Sequence, residues 1–369
     1  MDIKRQLTDF CRRYPLMRTQ DYIKLIFQSE YYGGHFIASE DDSLRRLKKE
    51  AELCVVQKVP QEPAADFFLE MARVNIRPFV RAGKNLNTLN RIFVESNRLT
   101  NGNRESFDEK LNVFLQLVKE KKIDLPYYAV SREVSEYKKS GYPIPNHSSA
   151  VKMNYAPAYR VIKKEYWQLF DVIEKIDKLL NSRLTVTVAI DGNSGAGKSF
   201  FSQALKDYYG CQVLHTDDFF LPPSLKSKER LDEAGGNVHY ERLRETMIKM
   251  KDAGGYEYDR FDCRTGEFKK VVIPACRLNI VEGCYSLHRS VKDMYDLAVI
   301  VKVNKAVQTK RILNRDGAEK LKRYVNEWIP LEDKYFSALD TTGVETMTID
   351  TSKEESKSIL INISQIFYI

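Results

Sequence analysis

The stretch that decides the fold is residues 184–205, which read LTVTVAIDGNSGAGKSFFSQAL. It opens with an apolar, β-branched run at residues 186–190, which is typical of a fully buried strand. A glycine-rich loop at 192–199 follows, and the residues after it place apolar side chains on one side of a helix. This order of strand, loop and helix predicts an α/β unit in which the helix N-terminus faces the loop.

The glycine-rich loop has the pattern G-x-x-x-x-G-K-[ST], which is typical of phosphate-binding loops. Its residues are Gly192, Asn193, Ser194, Gly195, Ala196, Gly197, Lys198 and Ser199. Glycines let successive N–H groups point at phosphate oxygens, Lys198 can reach the β- and γ-phosphates, and the Ser199 hydroxyl is a ligand for Mg²⁺. A chance glycine turn is the alternative, but four fixed residue types between a strand and a helix argue against it. We therefore predict ATP and Mg²⁺ as cofactors.

Composition and charge bound the class of protein. The chain has 369 residues, which is long for one domain, so we expect two. Hydrophobic residues make up 43% and charged residues 30%, as in soluble proteins with packed cores. No apolar run approaches the ~18 residues of a membrane span, and the N-terminus is too polar for a signal peptide, so we expect a cytoplasmic protein without a membrane partner. The net charge of +8 is mild and suits an anionic nucleotide as easily as nucleic acid, so charge does not decide between them. We expect no nucleic-acid partner, because the basic helices near 45–49 and 119–122 have the pattern of ordinary solvated faces.

The first part of the chain has a helical pattern. Residues 1–150 are predicted to form a mainly helical domain, with amphipathic helices at 87–99, 106–121 and 130–139 and room for a strand within 62–79. A loop at 142–149 marks the predicted boundary, and 151–182 is predicted as a connecting segment with one long helix from about 158 to 180. The second domain then covers 183–369. No ligand is predicted for residues 1–150.

Three acidic residues follow predicted strands of the second domain. Asp217 and Asp218 end a short strand, and Glu282 closes the apolar strand 278–282. In an open α/β sheet, the carboxyl ends of the strands are where ligands bind. One carboxylate of the Asp pair can accept a proton from a substrate hydroxyl while the other assists Mg²⁺, unless the pair merely caps a helix. Glu282 is the second candidate metal ligand, together with Ser199.

Further apolar strands at 297–303 and 346–350 alternate with helical segments, which predicts a doubly wound parallel sheet. Between them, residues 308–323 are rich in Arg and Lys, and most of these are expected to be solvated. We predict catalytic roles only for Arg311 and Arg315, as part of a lid that neutralises the transferring phosphoryl group.

Several motifs in order resemble the uridine kinase and phosphoribulokinase family of P-loop kinases. The resemblance runs from about residue 184 to the end, about half of the chain. The motifs are DGNSGAGKS at 191–199, HTDDFF at 215–220, GGNVHYERL at 235–243, YEYDRFD at 256–262, VEGCYS at 281–286, KRILNRD at 310–316 and WIPLEDKYF at 328–336. The first is shared by many families, and the ordered set is more specific.

The resemblance implies roles for individual residues. Asp217 matches the general base that takes the proton of a 5′-hydroxyl, Glu282 matches the acid that faces Mg²⁺, and Arg311 falls in the lid. Tyr258 matches an aromatic contact to the nucleobase. The candidate contacts to the acceptor are Asp218, His239, Tyr258 and Cys263. Two of them depart from the pattern, because His239 replaces an Asp that usually holds the ribose, and Cys263 replaces a His that usually contacts the pyrimidine.

The expected function is an ATP-dependent kinase that transfers the γ-phosphoryl group to a hydroxyl of a small molecule, first of all a nucleoside such as uridine or cytidine. One alternative keeps this chemistry and changes the acceptor to a sugar, a vitamin precursor or another alcohol. The other is an ATP-dependent switch whose first domain grips a partner such as RNA. The expected partner is the small-molecule acceptor, and a homo-oligomer is left open.

Overall fold

The computed structural model describes residues 2–33, 37–56, 62–100, 102–251 and 254–352, without the side chains of residues 55 and 56. The chain divides into two compact units: unit 1 ends at Phe170 and unit 2 begins at Asp171. The last part of the predicted second domain, 353–369, lies outside the described residues. Within the described part, no helix combines the length and the apolar character that crossing a membrane requires.

Unit 1 is a layer of helices around a small antiparallel sheet. The helices are α1 (Ile3–Arg13), α2 (Thr19–Tyr31), α3 (Glu40–Val56), α4 (Ile76–Arg81), α5 (Leu86–Arg98), α6 (Arg104–Lys119), α7 (Tyr127–Lys139), α8 (Ser149–Tyr155) and α9 (Lys164–Gln168). The strands are β1 (Ala65–Phe68), β2 (Met71–Asn75) and β3 (Tyr159–Lys163), with β2 in the centre. The three amphipathic helices predicted from apolar spacing are confirmed as α5, α6 and α7.

The prediction of one long helix from about 158 to 180 is wrong. Residues there form β3, then α9, and then α10 (Phe170–Ser182). The apolar side chains Val161 and Ile162 are buried, and β3 pairs with β2 so that Val161 lies opposite Arg73. The pairing partner is a strand about ninety residues earlier, so the local apolar spacing could not reveal it.

Unit 2 contains a parallel sheet with helices on its connections. Its strands are β4 (Val186–Gly192), β5 (Gln212–His215), β8 (Leu278–Glu282), β9 (Leu297–Lys302) and β10 (Thr346–Asp350), and a separate hairpin is formed by β6 (Tyr256–Asp262) and β7 (Glu267–Ile273). The helices are α11 (Lys198–Tyr209), α12 (Lys228–Asp232), α13 (Tyr240–Met250), α14 (Lys305–Arg323) and α15 (Ile329–Ala338). The strand order in the sheet is β10-β9-β4-β8-β5, all parallel. The predicted doubly wound α/β fold with a phosphate loop is confirmed.

The position of β4 in this order is what creates the site. Every residue of β4 is buried, as expected for a central parallel strand with both faces covered. β4 connects through α11 to β5, yet its neighbours in the sheet are β8 and β9. The connection after β4 therefore runs to one side of the sheet, whereas the connection after β8 crosses to the other side and reaches β9. Ligands of doubly wound sheets bind at such a reversal of strand order.

Candidate active site

The carboxyl ends of β4, β8 and β5 bring the predicted chemistry to one edge of the sheet. Ile190 of β4 lies opposite Glu282 of β8, and Glu282 lies opposite His215 of β5. Asp217 follows two residues after His215, in a short 3₁₀ turn. The structure therefore places the phosphate loop, Glu282 and Asp217 at adjacent strand ends.

The conformation of the phosphate loop depends on its glycines and on hydrogen bonds from Lys198. Gly192 has φ +154°, and a Cβ there would lie 2.2 Å from the carbonyl oxygen of Val301, so only glycine fits where β4 runs beside β9. Lys198, the first residue of α11, turns back and donates from Nζ to the carbonyls of Gly192 (2.8 Å) and Asn193 (3.2 Å). The ammonium group is thus held at the loop, beside the positive end of the α11 dipole.

Glu282 is the ionised centre of the site. Its side chain accepts hydrogen bonds from the Ser199 hydroxyl (3.0 Å) and from His215 Nδ1 (2.8 Å), and it is buried. Burial opposes ionisation, but the hydrogen bond from His215 and the charge of Lys198 outweigh it and lower the pKa of Glu282. The same hydrogen bond raises the pKa of His215. His215 was not among the predicted site residues.

A second glycine lets Glu282 approach the Asp217 turn. Gly283 has φ +153°, and a Cβ there would lie 1.8 Å from the Thr216 hydroxyl oxygen. Thr216 is fully buried next to Asp217, so this side chain has little room to move away. The close packing of Gly283 against Thr216 therefore sets the spacing between the two carboxylates.

The adjacent residues Asp217 and Asp218 have different environments. The Asp217 carboxylate makes no hydrogen bond to another described residue and is open to solvent. Partial desolvation by the surrounding protein and the negative charge of Glu282 raise its pKa. Asp218 is buried, accepts from the Tyr258 hydroxyl (2.7 Å), and pairs with Arg260 Nε (3.0 Å). Asp217 is thus free to take a proton, whereas Asp218 holds the hairpin to the sheet.

Three predicted acceptor contacts lie on the hairpin or beside it. The Tyr258 ring is buried and stacks on Phe219 with ring centroids 5.3 Å apart, so both its hydroxyl and one face contact protein. His239 caps α13 and pairs with Glu241 (3.0 Å). Cys263 is exposed after β6, close enough to Asp217 for that charge to raise its thiol pKa, although burial contributes more.

The two predicted lid arginines are both engaged with protein groups. Arg311 Nη1 donates to the carbonyls of Gly195 (3.2 Å) and Ala196 (3.4 Å), and its Nη2 donates to the carbonyl of Thr351 (3.0 Å). It therefore braces the carbonyl side of the loop. Arg315 is exposed and binds Asp316 (2.8 Å). A catalytic role for Arg311 or Arg315 in a closed lid stays a prediction.

Sequence reasoning missed two buried carboxylates that organise the loop. Asp191, the residue before Gly192, is fully buried and accepts from the N–H groups of Gly192 (2.7 Å) and Leu287 (2.9 Å) and from the Tyr335 hydroxyl (2.7 Å). Its complete burial raises its pKa despite these donors. It ties the loop to the segment after β8 and to α15.

The second missed carboxylate is Glu332 of α15, only 2% exposed. It accepts from the Ser194 N–H (3.0 Å) and hydroxyl, and Gln308 approaches it to 3.4 Å. A negative charge thus lies on a loop that is built to bind anions. Glu332 is 138 residues from Ser194 in the chain, and no local pattern connects the two.

The residues present fit a triphosphate with Mg²⁺. Glycines with positive φ shape the loop, α11 begins at the last two residues of the loop, and Lys198 Nζ is held by a loop carbonyl. The Ser199 hydroxyl and the ionised Glu282 carboxylate, 3.0 Å apart, are oxygen donors of the kind that Mg²⁺ prefers. Mg²⁺ usually takes only one or two protein ligands and completes its shell with phosphate and water oxygens.

No family model matches the chain, and no curated protein matches it. It is similar in structure to a proposed fructose transport system kinase from Silicibacter sp. TM1040, at 19% identity over 47% of this chain and 97% of that chain, with a TM-score of 0.39. It is also similar to a possible uridine kinase from Bacillus stearothermophilus, at 15% identity over 47% of this chain and 99% of that chain, with a TM-score of 0.31.

A third similar structure is a deoxyadenosine kinase from M. mycoides with bound dATP, at 15% identity over 44% of this chain and 90% of that chain, with a TM-score of 0.22. All three are described as kinases, the first two only as proposed ones, and the similarity to each covers about half of this chain. At these identities and TM-scores, the three structures do not identify the activity or the substrate of this chain.

Proposed function

We propose that the chain is an ATP-dependent phosphotransferase that moves the γ-phosphoryl group of ATP to a hydroxyl of a small molecule. The observation that carries this proposal is the free Asp217 carboxylate beside the phosphate loop and the Ser199–Glu282 pair. A loop that only bound or sensed nucleotide would not need an unpartnered base with a raised pKa at its edge.

The roles of the residues follow from their positions. The backbone of 192–199 and Lys198 bind the triphosphate, and Ser199 and Glu282 are the residues that would hold Mg²⁺, which neutralises phosphate charge when bound. Asp217 orients the acceptor hydroxyl. As the acceptor oxygen bonds to the γ-phosphorus, the bond from phosphorus to the bridging oxygen of ADP breaks, and the hydroxyl proton passes to Asp217.

We infer a nucleoside such as uridine or cytidine as the first candidate acceptor, from the motif order that includes Tyr258 and His239. A second acceptor class, a sugar or another small alcohol, is favoured by a specific observation. The Tyr258 hydroxyl donates a hydrogen bond to Asp218, and one face of its ring stacks on Phe219. His239 pairs with Glu241. These groups are therefore less available to hold a ribose and a base.

The experiment is to measure ADP release from Mg-ATP with a panel of acceptors. The panel contains uridine, cytidine, deoxyadenosine, fructose and a vitamin-precursor alcohol, with an acceptor-free reaction as the control. Acceleration by a pyrimidine nucleoside supports the first acceptor class, and acceleration by another alcohol supports the second. If ATP binds but no acceptor accelerates ADP release, the phosphotransferase proposal fails in favour of a nucleotide-dependent switch.

A further inference from the structure

Unit 1 contains a cavity of about 50 Å³ that the proposed function does not use. Its lining includes Arg73 of β2, Asp66 of β1, Asp21 of α2, and His147. Since one water needs ~10–15 Å³ by this measure, the cavity has room for about three to five waters or a ligand group of that size. Charged side chains this deeply buried need partners, and their pairing shows what the cavity can bind.

Both oxygens of the Asp21 carboxylate accept hydrogen bonds from protein groups. Its carboxylate accepts from the N–H (2.9 Å) and the hydroxyl (2.5 Å) of Ser148 and from the N–H of Arg18 (2.9 Å). His147 Nδ1 lies 3.1 Å from the same carboxylate. Burial lowers the pKa of His147 to about 4, so its ring is neutral at pH 7 and adds no charge to the cavity. Asp21 therefore has no free oxygen for a ligand.

The other two acids of the lining are ion-paired. Asp66 pairs with Arg13 and accepts from the Tyr14 hydroxyl (2.6 Å). Glu62 pairs with Arg77 Nη1 at 3.0 Å. Glu62 thus has a cation of its own outside the cavity, whereas Asp66 lies opposite Arg73 in the pairing of β1 and β2, so Arg13 and Arg73 share this one carboxylate.

Arg73 is the exception among these buried charges. It is only 7% exposed, and its Nη2 donates to the neutral side-chain oxygen of Gln28 (2.7 Å). Its buried Nε has no hydrogen-bond partner, and no carboxylate lies within 4.0 Å of the guanidinium, among the residues that the structure describes. The rings of Tyr159 and Phe10 flank it, with their centroids 5.0 Å and 5.7 Å from Arg73 Cζ. A buried cation without a carboxylate in direct contact is costly, and an anionic ligand would lower that cost.

The charge balance selects a monoanion. Lys24 is also buried near Arg73, and burial together with the charge of Arg73 lowers its pKa to about 8. Lys24 Nζ donates to the carbonyl of Pro145 (3.0 Å), so the three cations Arg13, Lys24 and Arg73 face only the two carboxylates of Asp21 and Asp66, which leaves one positive charge in excess. A guanidinium binds the planar carboxylate group through two parallel hydrogen bonds. A phosphate dianion would add a second negative charge beside Asp21 and Asp66.

We propose that this cavity binds the carboxylate group of a small, otherwise apolar carboxylic acid, with Arg73 as its anchor. The rest of the lining fits such a ligand, because Met17, Val151, Pro157 and Tyr155 supply mainly apolar surface. The small volume of the cavity limits the enclosed part of the ligand to a few carbon atoms. The proposal is independent of the phosphate loop and of the proposed phosphotransferase.

The test uses the full-length protein and propionate as the probe. Saturation-transfer NMR and thermal unfolding are measured against increasing sodium propionate, with sodium chloride at equal ionic strength as the reference and inorganic phosphate as a second anion. The expected result is saturable propionate binding that raises the unfolding midpoint by about 2–4 °C near saturation. Phosphate is expected to bind at least fivefold more weakly. The absence of saturable propionate binding, or tighter binding of phosphate, would overturn the proposal.

Two variants and a matched control locate the site. Arg73→Met should weaken propionate binding at least tenfold. Arg160→Met changes another arginine of the same sheet, which pairs with Glu50 (2.7 Å) away from the cavity lining, and should leave binding unchanged. Met17→Phe fills the apolar side while Arg73 stays in place, and it should also abolish binding, so it decides the matter if Arg73→Met does not fold. Wild-type affinity in a folded Arg73→Met or Met17→Phe protein would contradict the assignment.

Discussion

The phosphate-loop edge of unit 2 and the Arg73 cavity of unit 1 both place cationic groups where an anion can bind, but they are built differently. At the loop, backbone N–H groups, a helix N-terminus and one lysine act together within eight consecutive residues. In the cavity, a single guanidinium acts from the middle of a strand, and its neighbours come from distant segments. The comparison teaches that a backbone-built anion site leaves a motif in the sequence, whereas a side-chain-built site leaves none.

Loss of the loop lysine should have the largest effect. Lys198→Ala removes the ammonium held at the loop mouth, and we expect ADP release to fall at least ~10³-fold because the developing phosphate charge loses its fixed counter-charge. Lys206→Ala, which changes a lysine in the last turn of the same helix, is the matched control and should keep wild-type turnover. Residual turnover within tenfold of wild type in Lys198→Ala would show that the loop does not carry the chemistry.

Backbone packing should matter nearly as much at the loop edge. Gly283→Ala places a Cβ against the Thr216 hydroxyl and forces Glu282 and the Asp217 turn apart, and we expect unit 2 to lose about 3 kcal/mol of stability together with most activity. Gly210 also has a positive φ (+63°) but open space around it, so Gly210→Ala should cost only about 1 kcal/mol. Equal losses in the two variants, measured by chemical denaturation, would rule out the steric explanation.

The stability of unit 1 should depend on pH. The pKa of His147 is about 4 in the folded protein against an ordinary 6.5, and Asp21, Arg73, Lys24 and Tyr159 face it. The unfolded chain therefore binds a proton that the folded chain refuses, and the free energy of unfolding should fall by up to about 3 kcal/mol as pH drops from 6.5 to 4. His147→Gln cannot take that proton.

Denaturation of unit 1 at several pH values, in wild type and in His147→Gln, checks this prediction. We expect the variant to start less stable and to lose less stability between pH 6.5 and 4. Parallel pH profiles for the two proteins would mean that His147 does not titrate there and that the charge balance of the cavity needs another explanation.

The smallest effect is expected at Glu332. Glu332→Gln removes a negative charge that binds Ser194 of the phosphate loop, and we expect ATP to bind about two- to fivefold more tightly because one carboxylate no longer repels it. Isothermal titration with ATP measures the change, and Glu319→Gln, at an exposed position of α14, is the control. Weaker ATP binding in Glu332→Gln would instead make this carboxylate a necessary brace of the loop.

The chemistry that could be predicted from the sequence lies where strands end. The loop 192–199, Asp217 and Glu282 each follow an apolar run, and parallel pairing brings such positions together without further information. Asp191 and Glu332 were missed because their contacts are to residues far away in the chain or to backbone groups. Arg73 was missed for the same reason, since an arginine in an alternating stretch reads as an exposed strand position.

Adjacent residues can also have different contacts and roles, which the sequence did not reveal. Asp217 and Asp218 are adjacent acids, and only the hairpin of β6 and β7, with Tyr258 and Arg260, engages one of them and leaves the other free. The sequence of 254–270, in which aromatic residues alternate with acids, does predict the hairpin itself. Its docking against Asp218 depends on tertiary packing, so the division of roles within the Asp pair required the structure.

The central claim, that unit 2 transfers a phosphoryl group with Asp217 as the base, is tested most directly by steady-state kinetics and ATP binding of Asp217→Asn. With the best acceptor of the panel, we predict that kcat falls by ~10²–10⁴-fold while the Kd of ATP stays within about twofold of wild type. Loss of ATP binding in a folded Asp217→Asn protein would make this residue a metal or structural group, and an unchanged kcat would contradict the account.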